Sequence, residues 1–218
     1  MDPIQIYFEN ESIIICEKPA GVSSEDGGLP DLLCKQKGID KLYAVHRLDK
    51  MVTGGIMYAK TKRAASAISM QITNGVFRKS YIAAAEGKPE KEEDSWEDFL
   101  FYDRKQGKSY VVQRERYGVK KAIMNYRYIG GFIADSGKLG SFLEIELVTG
   151  RTHQIRAQLA SRRHPVLGDR RYGSKEDIGG IALRSYKMVF DDPDTGEERR
   201  FVFPLPDEYP WNNLTDKQ

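Results

Sequence analysis

Cysteine is scarce in this chain. Cys16 and Cys34 are the only two in 218 residues. Their spacing fits neither a disulfide framework nor a thiolate metal site, so both read as small packing residues in a protein of the reducing cytoplasm. Three histidines, scattered along the sequence, offer no metal cluster. Long apolar runs are missing too. None approaches the roughly 18 residues that span a bilayer, and Met1-Asp2-Pro3-Ile4 lacks the basic and apolar regions of a signal peptide. No phosphate-binding glycine loop or dinucleotide fingerprint occurs, and no repeat of about 20–50 residues.

Hydrophobic residues make up 40%, enough for a folded domain with a sizeable core. The net charge of +2 says little, but its distribution says more. Residues 46–81 carry seven basic side chains against one acid, Asp49, and residues 151–175 carry seven against Asp169. The remainder is therefore acidic. One such island reads as a solvated face; two with the same asymmetry favour a polyanionic partner, nucleic acid.

Residues 13–16 read as a strand ended by Lys18-Pro19-Ala20-Gly21, and residues 24–31 as a loop. A short helix is predicted over 30–37, with Gly38 at its end, and a buried strand over 55–58. Thr61 caps a predicted helix over 62–73, with Ala64, Ala65, Ile68 and Ile72 as its apolar stripe and Asn74-Gly75 as its stop. Strands are predicted over 80–85, 110–112, 122–128 and 141–148. The acid-rich stretch 88–98 reads as an exposed excursion. Thr152 is the predicted cap of a helix over 153–160, and residues 186–190 and 200–203 form a hairpin across Pro193-Asp194-Thr195-Gly196. The tail after Pro204 reads as irregular. Strands dominate and helices are short, which predicts an α+β domain on a largely antiparallel mixed sheet with short flanking helices.

The segment His46-Arg47-Leu48-Asp49, followed by Thr53-Gly54-Gly55, sets a carboxylate between two apolar runs. Asp49 is there either an expensive structural acid, capping a turn or pairing with Arg47, or a reacting one. A reacting role requires a cation to keep it ionised and oriented. Arg151, in Thr149-Gly150-Arg151-Thr152-His153-Gln154-Ile155-Arg156, offers a planar fork at a strand-to-helix turn; the other reading is phosphate contact or surface charge. Lys79 and Tyr81 share one face of a strand, which suits a stacked base beside a phosphate, and equally an ordinary half-buried strand. His153 and Gln154 either contact phosphate or cap the helix. His46 has no orienting partner in sequence and reads as a nucleic-acid contact or a structural residue, not a general base. Residues 165–173 form a basic, glycine-punctuated stretch that suits nucleic acid or a simple turn.

Taken together, these segments resemble the RluA-like family of RNA pseudouridine synthases. His46-Arg47-Leu48-Asp49 with Thr53 and Gly55 resembles the catalytic-aspartate motif of that family, Lys79-Ser80-Tyr81 its tyrosine motif, and Gly150 to Arg156 its arginine motif. His164-Pro165-Val166-Leu167-Gly168-Asp169 resembles a further segment, and Ala182-Leu183 a weaker one. Four motifs in order are far more specific than any one.

The resemblance implies an isomerase that breaks the N-glycosidic bond of a uridine in ribosomal or transfer RNA, turns the base and rejoins it through carbon 5, without cofactor or metal. Asp49 is then the essential carboxylate, as nucleophile or as base toward the ribose. Arg151 is its partner, Tyr81 stacks on the flipped base, and Leu183 walls the pocket. His46, Arg47, Lys79, His153, Gln154 and Arg156 fall to substrate binding. The expected organisation is one catalytic domain over 1–218, without the N-terminal RNA-binding module of many relatives, acting as a cytoplasmic monomer. Two positions depart from the family pattern: Gly54, where serine is usual, and Arg184, where histidine is frequent. On them rests the alternative of an RNA-binding protein that keeps the fold with weak or no turnover. The related small-subunit branch is disfavoured by the histidine before Arg47 and by Thr152 to Arg156.

Overall fold

The order of elements in the computed structural model is β1 (Ile6–Glu9), β2 (Ile13–Lys18), α1 (Leu29–Lys37), β3 (Tyr43–Ala44), β4 (Thr53–Ala59), α2 (Lys62–Thr73), β5 (Arg78–Glu86), β6 (Glu93–Asp103), β7 (Lys108–Val112), β8 (Val119–Ile133), β9 (Leu139–Leu147), α3 (Gln154–Ser161), β10 (Leu183–Asp191) and β11 (Glu198–Val202), with 3-10 turns at Arg170–Tyr172 and Trp211–Asn213. The structure describes residues 3–214; the ends of the chain, including the last part of the irregular tail, lie outside the described residues. The expected α+β class, with mostly antiparallel pairing and short helices, is what the chain adopts.

Two compact units are distinguished among the described residues: 3–79 with 184–204, and 80–183 with 205–214. In the first, β1 pairs with β2 and β2 with β4, both antiparallel, and β11 pairs antiparallel with β10. β4 meets β10 in parallel over a short register, Arg184 opposite Thr53 and Ser185 opposite Gly54. Ile13, Ile15, Met57, Ala59, Met188 and Phe190 supply its core, closed by Ala64 and Ile68 of α2. Thr61 caps α2 as predicted, its hydroxyl accepting the Ala64 N–H at 3.1 Å. The buried stripe of α2 is narrower than predicted, however, because Ile72 at the last turn is exposed.

The second unit orders its strands β5–β9–β8–β6–β7, every neighbour antiparallel. Here two expectations are corrected. Residues 88–92 lie outside any strand, as expected, but 93–98 are not an excursion: β6 starts at Glu93, because Trp96 and Leu100 alternate into the core while Asp98 takes the Arg162 guanidinium at 2.8 Å. Charge concealed a period of two. Thr152 does not cap α3 either. His153 occupies that position in the left-handed region (φ 54°) and makes no side-chain cap.

Candidate active site

The loop that carries Asp49 is built by its neighbours' backbone bonds. Val52 N–H donates to the Asp49 carbonyl at 3.0 Å, closing a tight turn. Before it, Leu48 is buried, and Ser24 Oγ both donates to its carbonyl (2.9 Å) and accepts its N–H (3.2 Å). After it, the fully buried Lys18 ammonium donates to the carbonyls of Pro19, Lys50 and Val52 at 2.9, 2.9 and 2.8 Å. All three ammonium donors are thereby used, which is how a buried cation is tolerated. Burial pulls the Lys18 pKa down to about 8, while the charges of Asp49 and Glu17 act upward. Asp49 itself is half-buried, within electrostatic reach of this ammonium. Arg47, read in sequence as a candidate partner for Asp49, instead pairs with Glu25 at 2.8 Å on the surface.

His46 Nε2 accepts the Met57 N–H at 3.1 Å, so the proton of the neutral ring sits on Nδ1. Burial holds its pKa well below the ordinary range, and the charge of Lys79 adds to this. Lys79 is pulled to about 8 by burial, its ammonium 5.8 Å from the Phe77 ring centre, and Phe77 lies against His46 at 5.4 Å.

The two departures from the family pattern are neighbours. Gly54 has φ +106°, and a Cβ there would stand 2.2 Å from the Ser185 carbonyl oxygen and 2.9 Å from Arg184 Cγ. Buried Arg184 grips Glu17 with both Nη atoms (2.7 and 2.8 Å) and donates through Nε to the Pro204 carbonyl at 3.0 Å. The same Glu17 accepts the Gly54 N–H at 3.0 Å. Glycine at 54 and arginine at 184 thus form one arrangement at the start of β4, a few residues past Asp49.

In the second unit, Tyr81 is buried in β5 opposite Ile145 of β9. The 149–156 segment is stapled by Gln154, whose amide oxygen accepts from Thr149 Oγ1 (2.8 Å) and Arg151 N–H (3.0 Å) and whose amide nitrogen donates to the Ile123 carbonyl at 3.0 Å. That side chain orders the turn from within. Arg151 is exposed, with Nε donating to the Lys121 carbonyl at 2.9 Å. Arg156 is the buried arginine of the segment. It forms a fork with Asp169 (Nε–Oδ2 2.6 Å, Nη2–Oδ1 3.0 Å) and lies over the Tyr172 ring at 5.0 Å. The Tyr172 hydroxyl is 3.1 Å from His153 Nδ1 and accepts the Ser109 N–H at 2.8 Å. Leu183 is buried, held beside a backbone weave in which Leu167 N–H donates to Ala84 and Ala182 N–H to Leu167, both at 2.9 Å. Among the described residues no group of three or more His, Cys, Asp or Glu side chains is arranged to hold a metal ion.

Sequence reasoning missed the parts played by Lys18 and Glu17, and took Asp169 and Tyr172 only as members of the 165–173 stretch. Lys18-Pro19 was visible as a turn, but nothing local in the sequence marked the lysine as buried.

This chain is similar to an uncharacterized RNA pseudouridine synthase of Bacillus subtilis, YhcT, with 31% identity over 214 residues covering 93% of this chain and 69% of that one. It is similar to the ribosomal large subunit pseudouridine synthase D of Nitrosomonas europaea, with 30% identity covering 94% of this chain and 63% of that one. Among solved structures it shares the fold of human RNA pseudouridylate synthase domain containing 1, at a TM-score of 0.80 and 20% identity, covering 98% of this chain and 89% of that one. The model of the RNA pseudouridylate synthase family matches residues 12–161. The chain belongs to that family, a family of isomerases that act on RNA.

Proposed function

We propose that this protein converts uridine to pseudouridine in ribosomal RNA, in the cytoplasm, with Asp49 as the reacting carboxylate. The observation that carries this reading is the frame around Asp49: a tight turn fixed on both sides, with a buried ammonium within electrostatic reach. Such a frame aims a carboxylate, which a nucleophile or base requires. The ribosomal substrate is supported by relatives named as large-subunit synthases.

In the proposed reaction the base leaves the stack, the bond from ribose C1′ to N1 breaks, uracil turns, and C1′ bonds to C5. The proton lost from C5 balances the one gained at N1, so no co-reactant is consumed. Extruding the base costs a few kcal/mol. Tyr81 takes the role of stacking partner, Leu183 that of apolar wall and Arg151 that of guanidinium partner to Asp49. Arg156, buried in the same motif, is the second arginine to test for the last role. His46, Arg47, Lys79, His153 and Gln154 are assigned to RNA binding and to shaping its site. The reading as an RNA-binding protein without turnover loses its motive, since Gly54 and Arg184 form one ordered arrangement with Glu17.

The test maps pseudouridine in ribosomal RNA from cells with and without the gene, and after incubating unmodified RNA with purified protein. At least one uridine should depend on the protein, and Asp49→Asn should lower turnover by at least ~10³-fold while RNA binding persists. Wild-type turnover in that variant would overturn the assignment of Asp49.

A further inference from the structure

In the second unit, β6 is charged oppositely at its two ends. Six acids fall between residues 90 and 98, whereas the stretch 104–121 holds seven basic side chains against a single acid, Glu115. The pairing register gathers that stretch at one place. The turn at 104–107 follows directly on Asp103, the last residue of β6. The loop 113–118 leaves β7 at Val112, opposite Phe99, and enters β8 at Val119, opposite Phe101. Arg116 crosses over the Phe101 ring at 5.4 Å, and Lys120 and Lys121 stand opposite Leu100 and Phe99. One cation from another segment joins them: Arg171 donates to the Gly107 carbonyl at 2.6 Å.

These cations are displayed on a fixed frame. Asp103 Oδ1 accepts the N–H groups of Lys105 (2.8 Å) and Gln106 (3.2 Å), and the Tyr110 hydroxyl donates to Gln106 Oε1 at 2.6 Å. Among the described residues, only Lys121 of the seven has a carboxylate partner, Glu97 at 2.6 Å. An ordinary solvated face intersperses its acids with its bases; this stretch sets seven cations against one acid, at a cost in self-repulsion that a polyanion relieves. At the tip, Tyr117 is fully exposed between Arg116 and Gly118, which has φ +81°. An aromatic ring held in water beside guanidinium groups suits an unpaired base, whose face stacks while its phosphates meet the cations.

We propose that this end of β6 is a docking surface for the flanks of the RNA substrate, outside the motif segments. Its cations grip phosphates, and Tyr117 is a platform for one unpaired base. The proposal rests on RNA being the substrate.

The test measures the affinity of full-length protein for a ribosomal RNA fragment and for polyuridylate across a range of KCl concentrations. Neutralising Arg104→Gln, Lys105→Gln and Lys120→Gln together should lower the slope of log K against log salt by about two to three. The double variant Lys35→Gln with Lys41→Gln, on exposed lysines of the first unit, should leave it unchanged. Tyr117→Ala should weaken polyuridylate binding by roughly 5- to 100-fold with the slope intact. Circular dichroism and melting confirm that each variant is folded. Wild-type slopes and affinities in both the triple variant and Tyr117→Ala would overturn the proposal. A wild-type protein that binds neither RNA would overturn the functional reading first, and this surface with it.

Discussion

The loop bearing Asp49 and the segment bearing Arg151 are held by opposite means. Around Asp49 a buried cation satisfies backbone carbonyls, and its charge remains available to the carboxylate nearby. Around Arg151 a neutral amide, Gln154, ties the backbone, and the buried cation of the segment, Arg156, is joined to its own carboxylate, Asp169. The first arrangement couples charge to the geometry of one turn. The second gives rigidity to a helix start while leaving Arg151 exposed. A buried ion has to be fully satisfied, and carbonyls or a carboxylate do this with different consequences for neighbouring groups.

The largest effect on stability belongs to the second arrangement. Arg156→Ala strands Asp169 in the interior and should cost about 3–5 kcal/mol, read as a lower midpoint in urea. Arg151→Ala, an exposed change, should move stability by less than about 0.5 kcal/mol yet lower turnover strongly. Normal turnover in Arg151→Ala, with none in a folded Arg156→Lys, would transfer the role of guanidinium partner to Arg156.

Next comes the first arrangement. Lys18→Met leaves three carbonyls without their donor and should cost about 2–4 kcal/mol, with turnover falling as the Asp49 turn loosens. Because Lys18 keeps its proton only below about pH 8, turnover should decline as pH rises through that value. Lys79 titrates in the same range. A decline that survives in a folded Lys18→Arg but moves in Lys79→Arg would assign the effect to Lys79. A smaller cost falls at Gly54: serine there meets the Ser185 carbonyl at a positive φ, costing about 2 kcal/mol. A Gly54→Ser variant with an unchanged melting temperature would show that the start of β4 is more yielding than its contacts indicate.

Local signals carried much of the fold. The Thr61 cap, the Gly38 stop and the 186–203 hairpin were legible because each depends on residues within one turn of it. The strand over 93–98 was not, because burial of Trp96 depends on Tyr126 and Arg162, about 30 and 66 residues away. Of the candidate site, Asp49 and the arginine-bearing segment were legible as residue types in order. The work of Lys18 was not, since its three acceptors include carbonyls 32 and 34 residues on.

The sequence by itself determined the family, the order of the motifs, and the presence of an acid, a tyrosine and two arginines within them, because these are properties of residue type and spacing. Only the tertiary structure decided which arginine is buried, which cation holds the Asp49 turn, and that Gly54 and Arg184 belong together. Those are matters of burial and of which distant backbone groups meet a side chain, and burial is what sets the cost of leaving a charge or a carbonyl unpaired.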